Sequence, residues 1–338
     1  MSDGGPNDGY QGKARMKSRY FASAVVLLAA LALPAQLSAQ SYPVKPVRVI
    51  VPFPAGGGTD IQARVIFKEL QEQLKQVFII DNRPGASGLI GADIVASSPP
   101  DGYSLLFTTA TISINSTLYA GRLKFDPAKD LAPVILVSTT PLVLVVHPSV
   151  PAKSVKELIA LSKAKGTVLN AAINVPGSTS HLSAEMFKQI TGAQVTTVPY
   201  KGGNMSMVAV VGGEVDFQFA EGHLVAPQAR AGKIRALAVS TAMPSAAFPD
   251  LPTVNATLPG LVADNWFAMF FRTGTPRDIV VTMNRGIGKT LESKPVRALF
   301  EQDGLTAIGG TPEDLGAHMK SEIARYAEVI RKGNITVQ

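Results

Sequence analysis

The sequence predicts an α/β fold, an open and largely parallel sheet flanked by helices. Three observations carry this. From Pro46 onward short β-rich runs alternate with stretches of helical periodicity, the pattern of strand–helix–strand units. Turns rich in Gly and Pro separate them. Apolar residues make up 46% of the 338 and charged residues 17%, ample for large cores and too little charge for a disordered chain. At roughly 100–200 residues per domain, the length fits two domains.

The elements follow in order. Val47–Val51 (VRVIV) reads as a buried strand. The next helix carries Ile61, Val65, Ile66, Leu70 and Leu74 on one stripe, and Thr59 with Gln62 forms a capping box that starts it at Thr59–Asp60. Val77–Asp81 is a second strand, NRPGASG a turn, Leu89–Ser97 a helix and Ser104–Thr108 a third strand. Leu142–Pro148 is a strand and SVKELIALSKAKG a capped helix ending near Gly166. Val168–Ile173 is a strand, NVPGSTS a loop, and HLSAEMFKQI a helix with Leu182, Met186, Phe187 and Ile190 on its apolar face. QVTTVPY and VDFQFA give two strands around a short helix, and Ile234–Ser240 another. Beyond a proline-rich stretch come two or three amphipathic helices, among them Asp278–Glu292 and Pro312–Arg331.

Composition excludes several functions. The net charge is +7, but the basic residues are scattered, without a Lys/Arg run or an aromatic cluster suited to RNA, so no nucleic-acid partner is expected. Zero cysteines remove disulfides, thiolate metal sites and cysteine nucleophiles together. His147, His181, His223 and His318 show no H-x-x-x-H spacing, so no zinc site is expected. Ser87 in GASGL is not a nucleophile elbow. Asp216 and Glu221 lie near strand ends, but nothing in the sequence pairs them as acid and base. No catalytic residue, metal or cofactor is expected.

Residues 17–39 combine the cations Lys17 and Arg19, an apolar run from Phe21 to Leu33, Pro34 and a small Ala39. That is the layout of a secretory signal peptide, cleaved near Ala39. The run is shorter than the ~20 residues a membrane span needs. Met16 directly precedes the pattern, so translation has two candidate starts, with residues 1–15 an extension if it begins at Met1. The mature protein is expected in the periplasm.

Three loops between a strand and a helix N-terminus are candidate ligand sites. Pro54-Ala55-Gly56-Gly57-Gly58-Thr59-Asp60 lets backbone approach a ligand and offers an anion the free N–H groups of a helix start. It matches neither nucleotide-binding glycine motif, and a plain turn is an equal reading. In Asn174–Ser180, Ser178, Thr179 and Ser180 either cap the helix or meet a ligand. His181, in that helix's first turn, is expected to be neutral. Tyr200-Lys201-Gly202 adds an aromatic face, a cation and flexibility. Glu221 follows a strand, and two placements stand open for it. It points to solvent or pairs with a cation such as Arg230, or it faces the site and disfavours purely anionic ligands.

Strings through nearly the whole mature chain resemble a known family. They include YPVKPVRVIVPFPAGGGTD, DNRPGASGLIGADIVASSPPDGYSLL, KFDPAKDLAPV, GSTSHLSAEMFK, VPYKGG, GGEVDFQF and AGKIRALAVS. The chain resembles Bug-family periplasmic solute-binding proteins, the receptors of tripartite tricarboxylate transporters. The resemblance implies a two-lobed periplasmic-binding-protein (Venus-flytrap, type II) fold, each lobe a central sheet flanked by helices, with the ligand in the cleft between. Residues 40–141 and 239–338 would form lobe I, and 142–238 lobe II. Implied ligands are small organic carboxylates or amino acids, and implied partners are the transporter's membrane subunits, with the receptor a monomer. Thr109 and Ala110 join the three loops and Glu221 as candidate ligand-binding residues. Ile173 and Val175 depart from the family's usual serine and glycine, which points to a drier or narrower second-lobe surface. A periplasmic sensor for a membrane histidine kinase and an exported hydrolase are the alternative functions.

Overall fold

Buried strands run both ways, so the sheet is mixed and not largely parallel. The computed structural model describes residues 42–164 and 166–336; the signal segment, its two candidate starts and Ala39 lie outside them. Strands β1 (Val47–Val51), β2 (Phe78–Asn82) and β3 (Ser104–Thr109) are parallel to one another. So are β5 (Leu169–Ile173), β6 (Val195–Pro199) and β7 (Phe217–Glu221). Between these sets lie two long strands, β4 (Leu131–Val146) and β9 (Asp264–Arg272), in the order β2-β1-β3-β9-β4-β7-β5-β6. β9 is antiparallel to both β3 and β4. Strands β8 (Arg235–Val239) and β10 (Thr306–Gly309) also pair antiparallel with β4.

β4 belongs to both halves of this sheet. Leu131–Pro141 pairs with β9, and Leu142–Val146 pairs with β7. The change of partner falls at Pro141, which has no N–H to give a ladder. β9 shows why it lies between layers: Phe267, Met269 and Phe271 pack into one core, and Trp266, Ala268 and Phe270 into another. Helices α1 (Gly58–Leu74), α9 (Arg277–Leu291) and α10 (Lys294–Asp303) cover the first face, with Ile66, Leu70, Met283, Ile287 and Phe300 buried there. Helices α2 (Leu89–Ala96) and α11 (Pro312–Lys332) cover the second through Leu89, Val95, Leu315 and Met319. Around β5–β7 the same arrangement recurs. Phe187 of α6 (Thr179–Thr191) packs with Phe217 and Phe219, while Val210 of α7 (Gly203–Val211) and Val225 of α8 (Gly222–Arg230) pack with Val143 and Val145.

Several sequence expectations need correction. α1 begins at Gly58 with Gly57 as its N-cap and no side-chain cap. Gln62 does not close a capping box: its carboxamide oxygen accepts from the buried Ser138 hydroxyl on β4 at 2.9 Å. Ile61 is exposed, and the buried stripe is Ala63, Ile66, Phe67 and Leu70. The helix α5 (Val155–Ser162), capped by Ser154, stops well before Gly166. β4 starts eleven residues earlier than the expected Leu142. Helices α3 (Thr111–Leu118) and the four-residue α4 (Pro127–Asp130), and β9 itself, were not anticipated.

Candidate functional site

The ends of β1, β3, β5, β6 and β7 all open onto one cavity of about 770 Å³, within the usual range for small-molecule sites. Its wall includes Pro54, Ala55 and Gly57 from the β1–α1 loop, Gly58 and Thr59 at the start of α1, Thr109 at the end of β3, Ser178 and Thr179 at the start of α6, Tyr200, Lys201 and Gly202 after β6, and Glu221 at the end of β7. Helix N-termini converge here, which sets the electrostatics. α1 and α7 have glycine N-caps, Gly57 and Gly202, that offer no side-chain acceptor. The N–H groups of their first turns therefore stay open toward the cavity, and with the helix dipoles they favour an anion.

Four candidates stand outside the wall. Gly56, at φ +77°, takes the left-handed conformation that a glycine adopts freely, and its N–H donates to the Asp60 carboxylate at 2.9 Å. Asp60 is 2% exposed and also accepts from Arg64 Nε at 2.9 Å. Burial raises the Asp60 pKa, but the bonds from Arg64 and Gly56 outweigh it and hold it below the usual carboxylate value. Asp60 thus ties down the glycine loop from behind. Ala110 is fully buried, its N–H donating to the Trp266 carbonyl. His181 accepts the Gly177 N–H at Nδ1 (3.0 Å), fixing the backbone next to Pro176. Burial lowers the His181 pKa, against an opposing pull from Glu185, and a ring nitrogen that accepts the Gly177 N–H carries no proton of its own.

Other residues of the wall carry no sequence signal of their own. Asn174 is 8% exposed. Its Oδ1 accepts from Gln218 Nε2 and Ser206 Oγ, both at 2.9 Å. Its Nδ2 has no protein acceptor and belongs to the cavity wall. The turn Gly85-Ala86-Ser87-Gly88 has four successive positive φ values (131°, 45°, 54° and 89°), a strained backbone of the kind that gathers at sites. Asn115 Nδ2 holds it through the Ser87 carbonyl at 3.0 Å. Thr111, Asn265 and Phe267 complete the floor. The NRPGASG turn was legible as a turn; that it faces the ligand loops was not.

The β1–α1 segment touches the first turns of α7 and α8. Asn204 Nδ2 donates to the Gly56 carbonyl at 3.3 Å, and a Cβ at Gly58 would lie 2.9 Å from the His223 ring. Among the described residues that line the cavity, Lys201 is the one cation and Glu221 the one carboxylate. Glu221 lies in the cavity wall with its side chain 15% exposed, and its Oε1 accepts from Asn265 Nδ2 at 3.0 Å; it makes no ion pair with Arg230.

The tripartite tricarboxylate transporter family receptor model (TctC) matches residues 62–335. The chain belongs to this receptor family. It is 37% identical over 318 residues to protein BugT of Bordetella pertussis, covering 93% of this chain and 97% of that one. Among solved structures, an R. palustris protein with adipate is 36% identical at TM-score 0.82, covering 87% of this chain and 99% of its own. MatC from Rhodopseudomonas palustris with bound malate is 30% identical at TM-score 0.79, covering 86% and 100%. The fold is thus the two-lobed α/β binding-protein fold of this family, and the receptor is a solute-binding protein, not an enzyme. No described helix is long and apolar enough to cross a membrane.

Proposed function

We propose that this receptor binds a small organic carboxylate or amino acid in the periplasm and delivers it to a tripartite tricarboxylate-type membrane transporter. The carrying observation is the pair of uncapped helix starts, α1 and α7, meeting at one cavity. Their N–H groups would grip a carboxylate without a buried arginine, and Asn174 Nδ2 would add a side-chain donor. The assignment includes cleavage near Ala39, and lobes of residues 40–141 with 239–338 and of residues 142–238. Carboxylate complexes of the two relatives lend support.

Native mass spectrometry of protein taken from the periplasm without refolding should find the cleaved chain carrying a small acid. A ligand that binds only the folded state adds about 2.7 kcal/mol at 100 times its dissociation constant. A thermal-shift panel of mono-, di- and tricarboxylates, aromatic acids and amino acids should therefore give at least one clear upward shift. A flat response from ligand-free protein would overturn the reading.

A further inference from the structure

Glu221 sits where a carboxylate is least expected, in the wall of an anion-favouring cavity. Its placement is specific. Oε1 is engaged by Asn265 Nδ2 at 3.0 Å. Oε2 is 4.0 Å from His223 Nε2, beyond hydrogen-bond length, and lies 3.3 Å from where a Gly203 Cβ would stand, beside the α7 N-terminus. An ionised carboxylate has about four acceptor positions, so Oε2 keeps capacity for a donor arriving from the cavity. Lys201, the one lining cation, is exposed and makes no ion pair with it. Asn174, more than nine-tenths buried, brings its unpartnered Nδ2 to 3.5 Å from that same Gly203 Cβ position, and the α1 start, whose Gly58 Cβ position is 3.0 Å from His223 Nε2, presents open N–H groups nearby.

We infer that Glu221 sets the ligand class: a monocarboxylate whose other end carries an ammonium or hydroxyl donor, in preference to a dicarboxylate. This rests on the receptor reading above. The ligand's carboxylate takes the N–H groups of the α1 start, and its donor end meets Oε2, which stands beside the α7 start. A second carboxylate placed there faces a like charge inside a partly desolvated site, which is strongly unfavourable.

Calorimetric titration of exhaustively dialysed protein with length-matched acids tests this: adipate against 6-aminohexanoate and 6-hydroxyhexanoate, and succinate against 4-aminobutanoate and 4-hydroxybutanoate. In at least one series the donor-ended acid should bind at least about tenfold more tightly than the diacid. Glu221→Gln, which keeps the side-chain shape, should shrink that ratio about tenfold or reverse it, chiefly by improving the diacid. A wild-type preference for the diacids overturns the inference alone, whatever the variant does. So does a ratio unchanged in Glu221→Gln. If none of these acids binds and the wider carboxylate panel is also flat, the receptor reading itself falls.

Discussion

Two glycine-containing loops at the cavity, Pro52–Gly57 and Asn174–Ser178, look alike in sequence and are built in opposite ways. The Asn174–Ser178 loop satisfies its own helix. Ser178 Oγ accepts from the His181 N–H at 3.3 Å and donates to the Val175 carbonyl at 2.7 Å, and Ser180 Oγ accepts from the Asn174 N–H at 2.9 Å. The Pro52–Gly57 loop caps nothing with a side chain; Asp60 secures it from behind, leaving the front open. One loop spends its polar groups on the fold and the other keeps its backbone donors for a visitor. A hydroxyl at a helix start therefore says less about ligand contact than the lack of one.

The contrast can be broken most forcefully at Gly177. Its φ is +74°, and a Cβ there would overlap Asn115 Oδ1 and meet Leu118 at 3.0 Å. Gly177→Ala should cost about 2–4 kcal/mol in urea denaturation, the left-handed penalty adding to overpacking. Asp60→Asn comes next, removing the charge from two hydrogen bonds, at about 1–3 kcal/mol. Its effect depends on pH. The folded carboxyl titrates below its unfolded value of about 3.9, so the contribution is complete above that value and fades as pH falls through the lower folded one. Urea midpoints of wild type and Asp60→Asn should thus converge under acid conditions and stand furthest apart near neutrality.

Ser178→Ala removes a cap and should cost about 1 kcal/mol, with a modest effect on affinity. The smallest stability effect belongs to Gly57→Ser, which gives α1 the acceptor it lacks. Serine and glycine differ by only a few tenths of a kcal/mol at an N-cap, and the new Cβ would stand a tight 3.2 Å from the Pro54 carbonyl oxygen, so the melting temperature should fall only slightly. Ligand affinity should fall, because the new hydroxyl competes for the same N–H groups. Unchanged affinity in Gly57→Ser would remove the distinction between the loops.

Elements with one wet face were legible. α11 carries its apolar stripe in sequence and lies near the expected bounds; α6 was also placed near its bounds, but it is buried on every side from Thr179 to Phe187, and Ile190, expected on its apolar face, is exposed. β9 and the first part of β4 were not, because a strand buried on both sides is a continuous apolar run without alternation. Strand direction was lost with them, since the return of β9 between β3 and β4 leaves no local mark. In the site, the loops that bring backbone forward were visible as glycine runs. Asn174 and Asn265 were not, because tertiary partners aim them: Gln218 is 44 residues from Asn174, and Glu221 is 44 residues from Asn265. The Gly57 loop was legible in kind but not in detail, as the left-handed residue is Gly56.

The late arrival of β9 has a consequence for how the chain is made. Val143 to Val239 holds β5, β6, β7, β8 and the end of β4, a set that can pair as soon as it is synthesised. The sheet carrying the glycine loop can pair β1, β2 and β3 early but cannot be completed, because the strand between β3 and β4 ends at Arg272. Until then β3 and β4 keep open edges, and such delayed, long-range pairing folds slowly. The edge that closes the glycine-loop sheet is therefore the last to be covered, long after its first three strands have been made.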